Sequence, residues 1–222
     1  MEDGKVMINV VYEDNHLLVA LKPAGIPVQA DNSGDKDFLN VLKDYIKKKY
    51  NKPGNVYLGL VHRLDRPVSG IMVFAKTSKA AKRLSMQIMK HEFKKNYYAV
   101  VHGNIDSSGV YRDKLLKNTK LNKSFVSDDG KESELSFEKK GFKNGFSLVD
   151  INLKTGRSHQ IRVQFSYHGF PLYGDQKYND NTSLDDIALF AYKLEFYHPV
   201  SHEYLSFSLP LPSKYPFNLF KN

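Results

Sequence analysis

The chain has 222 residues, with 33 Lys and Arg against 24 Asp and Glu, a net charge of +9. Apolar residues make up 41%, which excludes wholesale disorder, and the absence of cysteine excludes a disulfide framework, a Cys-based zinc site and a thiol nucleophile. The basic balance favours a polyanionic partner, nucleic acid first. No apolar run reaches the length of a membrane span, and Met1-Glu2-Asp3-Gly4-Lys5 lacks the charged-then-apolar order of a signal peptide, so a soluble cytoplasmic protein is expected.

In chain order, Val6 to Val11 and Leu17 to Leu21 read as strands split by the polar turn Glu13-Asp14-Asn15. Asp37 to Tyr50 reads as a helix, with Phe38, Val41, Leu42, Tyr45 and Ile46 at helical spacing and Lys47-Lys48-Lys49 in its last turn, where the dipole favours cations. Strand-prone stretches, Val56 to Val61 and Ile71 to Ala75, flank a loop that reads His62-Arg63-Leu64-Asp65-Arg66-Pro67-Val68-Ser69-Gly70. Pro67 pushes Arg66 out of the helical region, and Pro67 and Gly70 both interrupt regular structure.

Ser78 is placed to cap a helix running to about His91, with Ala81, Leu84 and Ile88 inward. Tyr97 to His102 reads as a strand ended by Gly103. Asn104 to Gly145 is polar and turn-rich, with Asp128-Asp129-Gly130 as a hairpin signal, so short strands are expected there. Val149, Ile151 and Leu153 alternate as a strand does. Gly156 to His168 reads as a helix stopped by Gly169, and Leu189 to Tyr197 and Tyr204 to Leu209 close the chain with strands. Strands and helices mix without a βαβ rhythm, which points to an α+β fold with a mainly antiparallel sheet and flanking helices.

Two segments concentrate chemistry. The loop around Asp65 packs a carboxylate, two arginines and a histidine between strands, a usual place for a catalytic group, although a lone Asp-Arg pair reads first as a surface salt bridge, a reading that a second basic cluster downstream weakens. Far downstream lies Lys154-Thr155-Gly156-Arg157-Ser158-His159-Gln160-Ile161-Arg162. Other motifs fail. Gly54 to Val61 has P-loop glycine spacing without the Lys and Ser/Thr. His62-Arg63-Leu64-Asp65 transposes the order of a kinase catalytic loop and lacks its partners. His198 and His202 have metal-like spacing, but Pro199 intervenes, and no metal site is expected.

With Lys95-Asn96-Tyr97-Tyr98-Ala99 between them, these two segments resemble the pseudouridine synthases of the RluA type. The resemblance runs from about Val6 to Tyr215. It takes in Tyr12-Glu13-Asp14-Asn15-His16-Leu17-Leu18-Val19, Lys22-Pro23-Ala24-Gly25, Gly169-Phe170-Pro171-Leu172-Tyr173-Gly174-Asp175 and His198-Pro199. It implies one catalytic domain over residues 1–222, of two sheet-based halves with a central active-site cleft and no separate upstream RNA-binding domain. It implies isomerisation of specific uridines to pseudouridine in structured RNA, rRNA or tRNA, without a cofactor. Asp65 matches the family's catalytic aspartate, Arg162 the arginine that pairs with it, and Tyr97 the active-site tyrosine, whose ring can stack on uracil. Tyr98 should point the opposite way along the strand.

His62, Arg63, Arg66, Arg157, His159, Gln160, Ile161, Lys22 and Lys95 are expected to contact substrate. Arg157 is assigned to the first turn of its helix, where phosphate binds well, and Arg63 to the gap left by a flipped nucleotide. The expected partner is RNA, with no membrane, no DNA, no metal and a monomeric state. A basic RNA-binding protein without catalysis explains the charge as well, but not the Asp-Arg-Tyr set.

Overall fold

A computed structural model describes residues 7–31, 33–180 and 185–221. The chain forms two compact units, Met1–Phe93 with Leu194–Phe207, and Lys94–Lys193 with Ser208–Asn222. Both combine strands with helices, as the α+β reading expects, and the strand pairs with resolved register, in both units, are antiparallel.

The first unit begins with β1 (Asn9–Glu13) and β2 (Leu17–Lys22), joined by a turn in which the Asp14 carboxylate accepts from the backbone of His16 and Leu17 at 2.7 and 2.6 Å. Val6, the expected first residue of β1, lies outside the described residues. Helix α1 (Phe38–Lys49) follows, capped by Asp37, which accepts from Asn40 N at 3.0 Å, and it buries Phe38, Val41, Leu42 and Ile46 as its spacing predicts. The short β3 (Gly59–Leu60) and β4 (Ser69–Ala75) bracket the Asp65 loop, and β4 pairs with both β2 and β3. Gly70 does not break structure as expected. It sits inside β4 opposite Lys22, at a φ of 146° that suits glycine.

Helix α2 (Ser78–Met89) is capped by Thr77, not Ser78, because the Thr77 hydroxyl accepts from Ala80 N at 3.1 Å. Phe38 meets Phe74 edge-on, and Phe93 stacks on Phe196 at 5.0 Å, which places the core between β2, β4 and the helices.

The second unit runs through β5 (Lys94–His102), β6 (Ser108–Asn118), β7 (Lys123–Val126), β8 (Lys131–Lys143) and β9 (Phe146–Leu153), in the order β5-β9-β8-β6-β7. The polar stretch 104–145 therefore holds strands of 11 and 13 residues, not the short ones expected. Only one face of them is buried. Along β8, Ser133, Leu135 and Phe137 point inward and alternate with Glu132, Glu134 and Glu138, so half of every strand is solvated and the segment reads as loop.

Helix α3 (Gln160–Tyr167) packs beside β6 and β7. Strand β10 (Leu189–Tyr197) starts in this unit and ends in the first, where β11 (Tyr204–Ser208) pairs with it. Among the described residues no helix is long and apolar enough to cross a membrane.

Candidate active site

The Asp65 loop is short, and its backbone is tied down at several points. Leu64 and Val68 are buried, and Val68 N donates to Asp65 O at 3.0 Å to close a turn over Arg66 and Pro67. Beneath it lies Lys22, fully buried. Its ammonium donates to the carbonyls of Pro23 (2.9 Å), Arg66 (3.1 Å) and Val68 (2.8 Å). Burial pulls Lys22 down to about 8, while the nearby Asp65 carboxylate works in the other direction. Lys22 was expected on an RNA phosphate, and the structure corrects this: with no exposed surface and three carbonyls taken, it anchors the loop from below.

Gly25 and Arg66 tie the loop from the side. Gly25 N donates to Arg66 O at 2.9 Å, and Arg66 Nε returns the bond to Gly25 O at 3.0 Å. The Arg66 guanidinium also pairs with Asp35 and lies 3.9 Å from Asp31. His62 turns inward, its Nε2 accepting from Val73 N at 3.2 Å and its ring tilted against Phe93. Arg63 is exposed and Asp65 half-buried. A carboxylate on a fixed backbone, two residues from an exposed guanidinium, is held well enough to act on a ligand.

In the second unit the downstream motif departs from its expected form. The helix begins at Gln160, four residues later than the sequence suggests. His159 is in the left-handed region (φ 55°), and the Gln160 side chain builds the turn before it. Gln160 Oε1 accepts from Arg157 N at 3.0 Å and from the Thr155 hydroxyl at 2.7 Å, and its Nε2 donates to Glu134 O at 3.1 Å. Gln160, expected to touch substrate, is thus buried and spent on the turn, and Ile161 lies in the core. Arg157 precedes the helix instead of occupying its first turn. It is exposed, with Nε donating to Glu132 O at 2.9 Å.

Arg162 projects from the first turn of α3 into a polar cradle that sequence reasoning did not assign. Its Nε and a terminal nitrogen donate to the two oxygens of Asp175 at 2.8 and 2.6 Å, in bidentate geometry, with both residues buried. Asp175 Oδ1 also accepts from the backbone of Lys177 and Tyr178 at 3.0 and 3.2 Å. The Tyr178 ring lies under the guanidinium at 5.3 Å, and its hydroxyl joins His159 Nδ1 (2.7 Å) to Ser124 N (2.7 Å). Gly174 makes the bend into this cradle, where a Cβ would fall 2.4 Å from Asp186 O. The signal in the sequence was the Gly174-Asp175 pair quoted with the resemblance, whose partner the spacing alone does not reveal.

Tyr97 is buried on β5 opposite Ile151, and Lys95, Tyr97 and Ala99 share its buried side. Tyr98 faces the other way as expected, stacked on Tyr192 at 3.8 Å. His198 is bound to Asp14 at 3.0 Å and to the backbone of Ser201, and among the described residues no cluster of three or more His, Cys, Asp or Glu could hold a metal.

Residues 16–167 match the family model described as RNA pseudouridylate synthase. The chain belongs to this family. The synthase is 36% identical over 210 residues to YlyB, an uncharacterized RNA pseudouridine synthase of Bacillus subtilis (strain 168), covering 92% of the chain and 69% of that protein. It is 34% identical over 214 residues to ribosomal large subunit pseudouridine synthase C of Vibrio parahaemolyticus, covering 92% of the chain and 66% of the relative. It is 33% identical to synthase D of Zymomonas mobilis, over 95% and 71%. The chain thus spans about two thirds of the length of these relatives.

Human RNA pseudouridylate synthase domain containing 4 superposes with a TM-score of 0.78 at 23% identity, over 96% of this chain and 90% of that one, which shows a shared fold. The RluA-type membership and the pseudouridine synthase fold expected from the motifs both hold, and with them the family's class of reaction, the isomerisation of uridine in RNA.

Proposed function

We propose that this chain converts specific uridines of structured rRNA or tRNA to pseudouridine, without a cofactor, and that Asp65 is the carboxylate that carries the reaction. The bond from uracil N1 to ribose C1′ breaks, the ring turns, C5 bonds to C1′, the C5 proton leaves and N1 takes up a proton. Nothing is oxidised or hydrolysed, so the chemistry asks for an ionised carboxylate, a surface for the ring and cations for the RNA chain. The observation that carries this reading is the Asp65 loop: its backbone is pinned by Lys22, Gly25 and two buried aliphatic side chains, which fixes where the Asp65 and Arg63 side chains leave it.

In this reading Tyr97 supplies the stacking face and Arg162, oriented by Asp175, supplies fixed positive charge. Arg63 fills the space of the flipped nucleotide, and the exposed Arg157 contacts backbone. Arg66 and His62, whose polar atoms are engaged within the first unit, hold the loop. The protein acts as one catalytic module over the whole chain, as a monomer.

The test is tritium release from RNA labelled at uridine C5. Asp65→Asn should lower turnover at least about 10⁴-fold, the scale lost when a group essential to the chemistry is removed, with RNA affinity kept because phosphate contacts dominate it. Appreciable release by the pure variant would overturn the assignment of Asp65. Tight RNA binding with no release by the unaltered protein would make it a binding protein only.

A further inference from the structure

Three lysines reach into the interior of their units, and two have evident acceptors. Lys22 has its three carbonyls, and Lys76 has the Glu13 carboxylate at 2.9 Å and Asp14 O. Lys95 is different. It keeps only 7% of its surface exposed, yet among the described residues its ammonium has no hydrogen-bond or ion-pair partner. Burial holds its pKa below the ordinary lysine value, with no carboxylate acting against that. An ammonium at the end of so buried a side chain is poorly hydrated and favours an acceptor that reaches it from outside.

The route for that acceptor is visible. The pairing of Asn96 with Asn152 sets Lys95 opposite Leu153, beside the stretch Lys154-Thr155-Gly156. Lys95 Nζ ends at Gly156, where a Cβ would lie 3.3 Å from it. Gly156 is exposed, and so is Arg157 next to it. A side chain at 156 would press its Cβ against the ammonium on this exposed side. The Lys154 ammonium, by contrast, is already paired with Glu134 at 3.0 Å.

The side of β5 that carries Lys95 also carries Tyr97, two residues on. Two residues of strand span about 6.7 Å, comparable to the separation of a base from the phosphate of its own nucleotide.

We propose that Lys95, reached through the gap kept by Gly156, is an anion site that takes a phosphodiester oxygen of the RNA chain at the target nucleotide. The site gives a reason for both features, a buried cation with no acceptor and a glycine where the chain needs no special φ. It rests on the proposed function only in taking RNA as the ligand.

The experiment measures binding of an in vitro transcript of large-subunit ribosomal RNA across a KCl series, in the Asp65→Asn background so that turnover does not intervene. Lys95→Met should weaken binding about tenfold and lower the slope of log affinity against log salt by about 0.7–0.9, one phosphate's worth of counterion release. The same variant should melt at a higher temperature than its parent, because the unpartnered charge is gone. A structural lysine would do the reverse. Lys95→Arg should keep the slope, and Gly156→Val should weaken binding with Lys95 still in place.

An unchanged slope, or a melting temperature that falls in Lys95→Met, overturns the inference. Tritium release by Asp65→Asn would overturn the catalytic assignment and leave this result standing.

Discussion

The two units each bury a lysine next to a recognised motif, and they treat it in opposite ways. In the first, Lys22 spends all three of its protons on carbonyls and turns a loop into a rigid support for Asp65. In the second, Lys95 is buried as well and has no partner among the described residues, while Arg162 is held in bidentate geometry by Asp175. Burial alone therefore does not sort a cation into structure or function. Acceptors separate these two lysines: the one whose donors are taken supports its loop, and the one whose donors are open is left for a ligand.

That contrast breaks most visibly at Asp175. Asp175→Ala leaves the Arg162 guanidinium buried without its bidentate partner, which costs about 3–5 kcal/mol by denaturant titration. A cost near zero would mean that Asp175 is not what holds Arg162. Next comes Lys22→Met, which strands carbonyls that the loop cannot turn to water. The expected loss is about 2–3 kcal/mol, with kcat down about 10²-fold because Asp65 loses its footing. Full activity in that variant would show that the loop holds its shape without the lysine.

The mildest effect concerns Glu13, the acceptor of Lys76. Burial opposes its ionisation, but Lys49, Lys76 and Tyr50 outweigh that and hold Glu13 down at about 2. A carboxylate lowered in the folded state contributes stability that is complete above its unfolded value near 4.5 and fades as pH falls through about 2. Glu13→Gln should flatten the acid limb of the stability curve by about 1–3 kcal/mol between pH 6 and 2, measured by urea unfolding at each pH. An unaltered limb would assign acid lability to other groups.

The sequence carried the parts of the fold that leave a local trace. The spacing of Phe38, Val41, Leu42 and Ile46 and the Asp37 cap marked α1 to within a residue, and β10 runs over the expected Leu189–Tyr197. It failed where particular side-chain bonds or one-sided burial decide. The start of α3 moved because Gln160 folds back on Thr155, Arg157 and Glu134, three partners that periodicity does not contain. The strands of 104–145 were hidden because their solvent face is as polar as a loop.

Site residues divide the same way. Residue type and motif order nominate Asp65, Tyr97 and Arg162 as candidates, whereas the places of Lys22 and Gln160 in the framework, and the grip of Asp175, depend on contacts 13 to 46 residues apart.

The stacking of Phe93 on the fully buried Phe196 has a consequence for how the molecule is made. The first unit is written in two instalments, Met1–Phe93 and Leu194–Phe207. A ribosome adding about 5–20 residues per second delivers the second instalment about 5–20 seconds after the first, with the whole of Lys94–Lys193 emerging in between. During that interval Phe93 has no Phe196 to rest on, and the amino-terminal segment waits with an aromatic face uncovered. The loop that carries Asp65 is thus among the first parts synthesised and among the last to be housed in a finished unit.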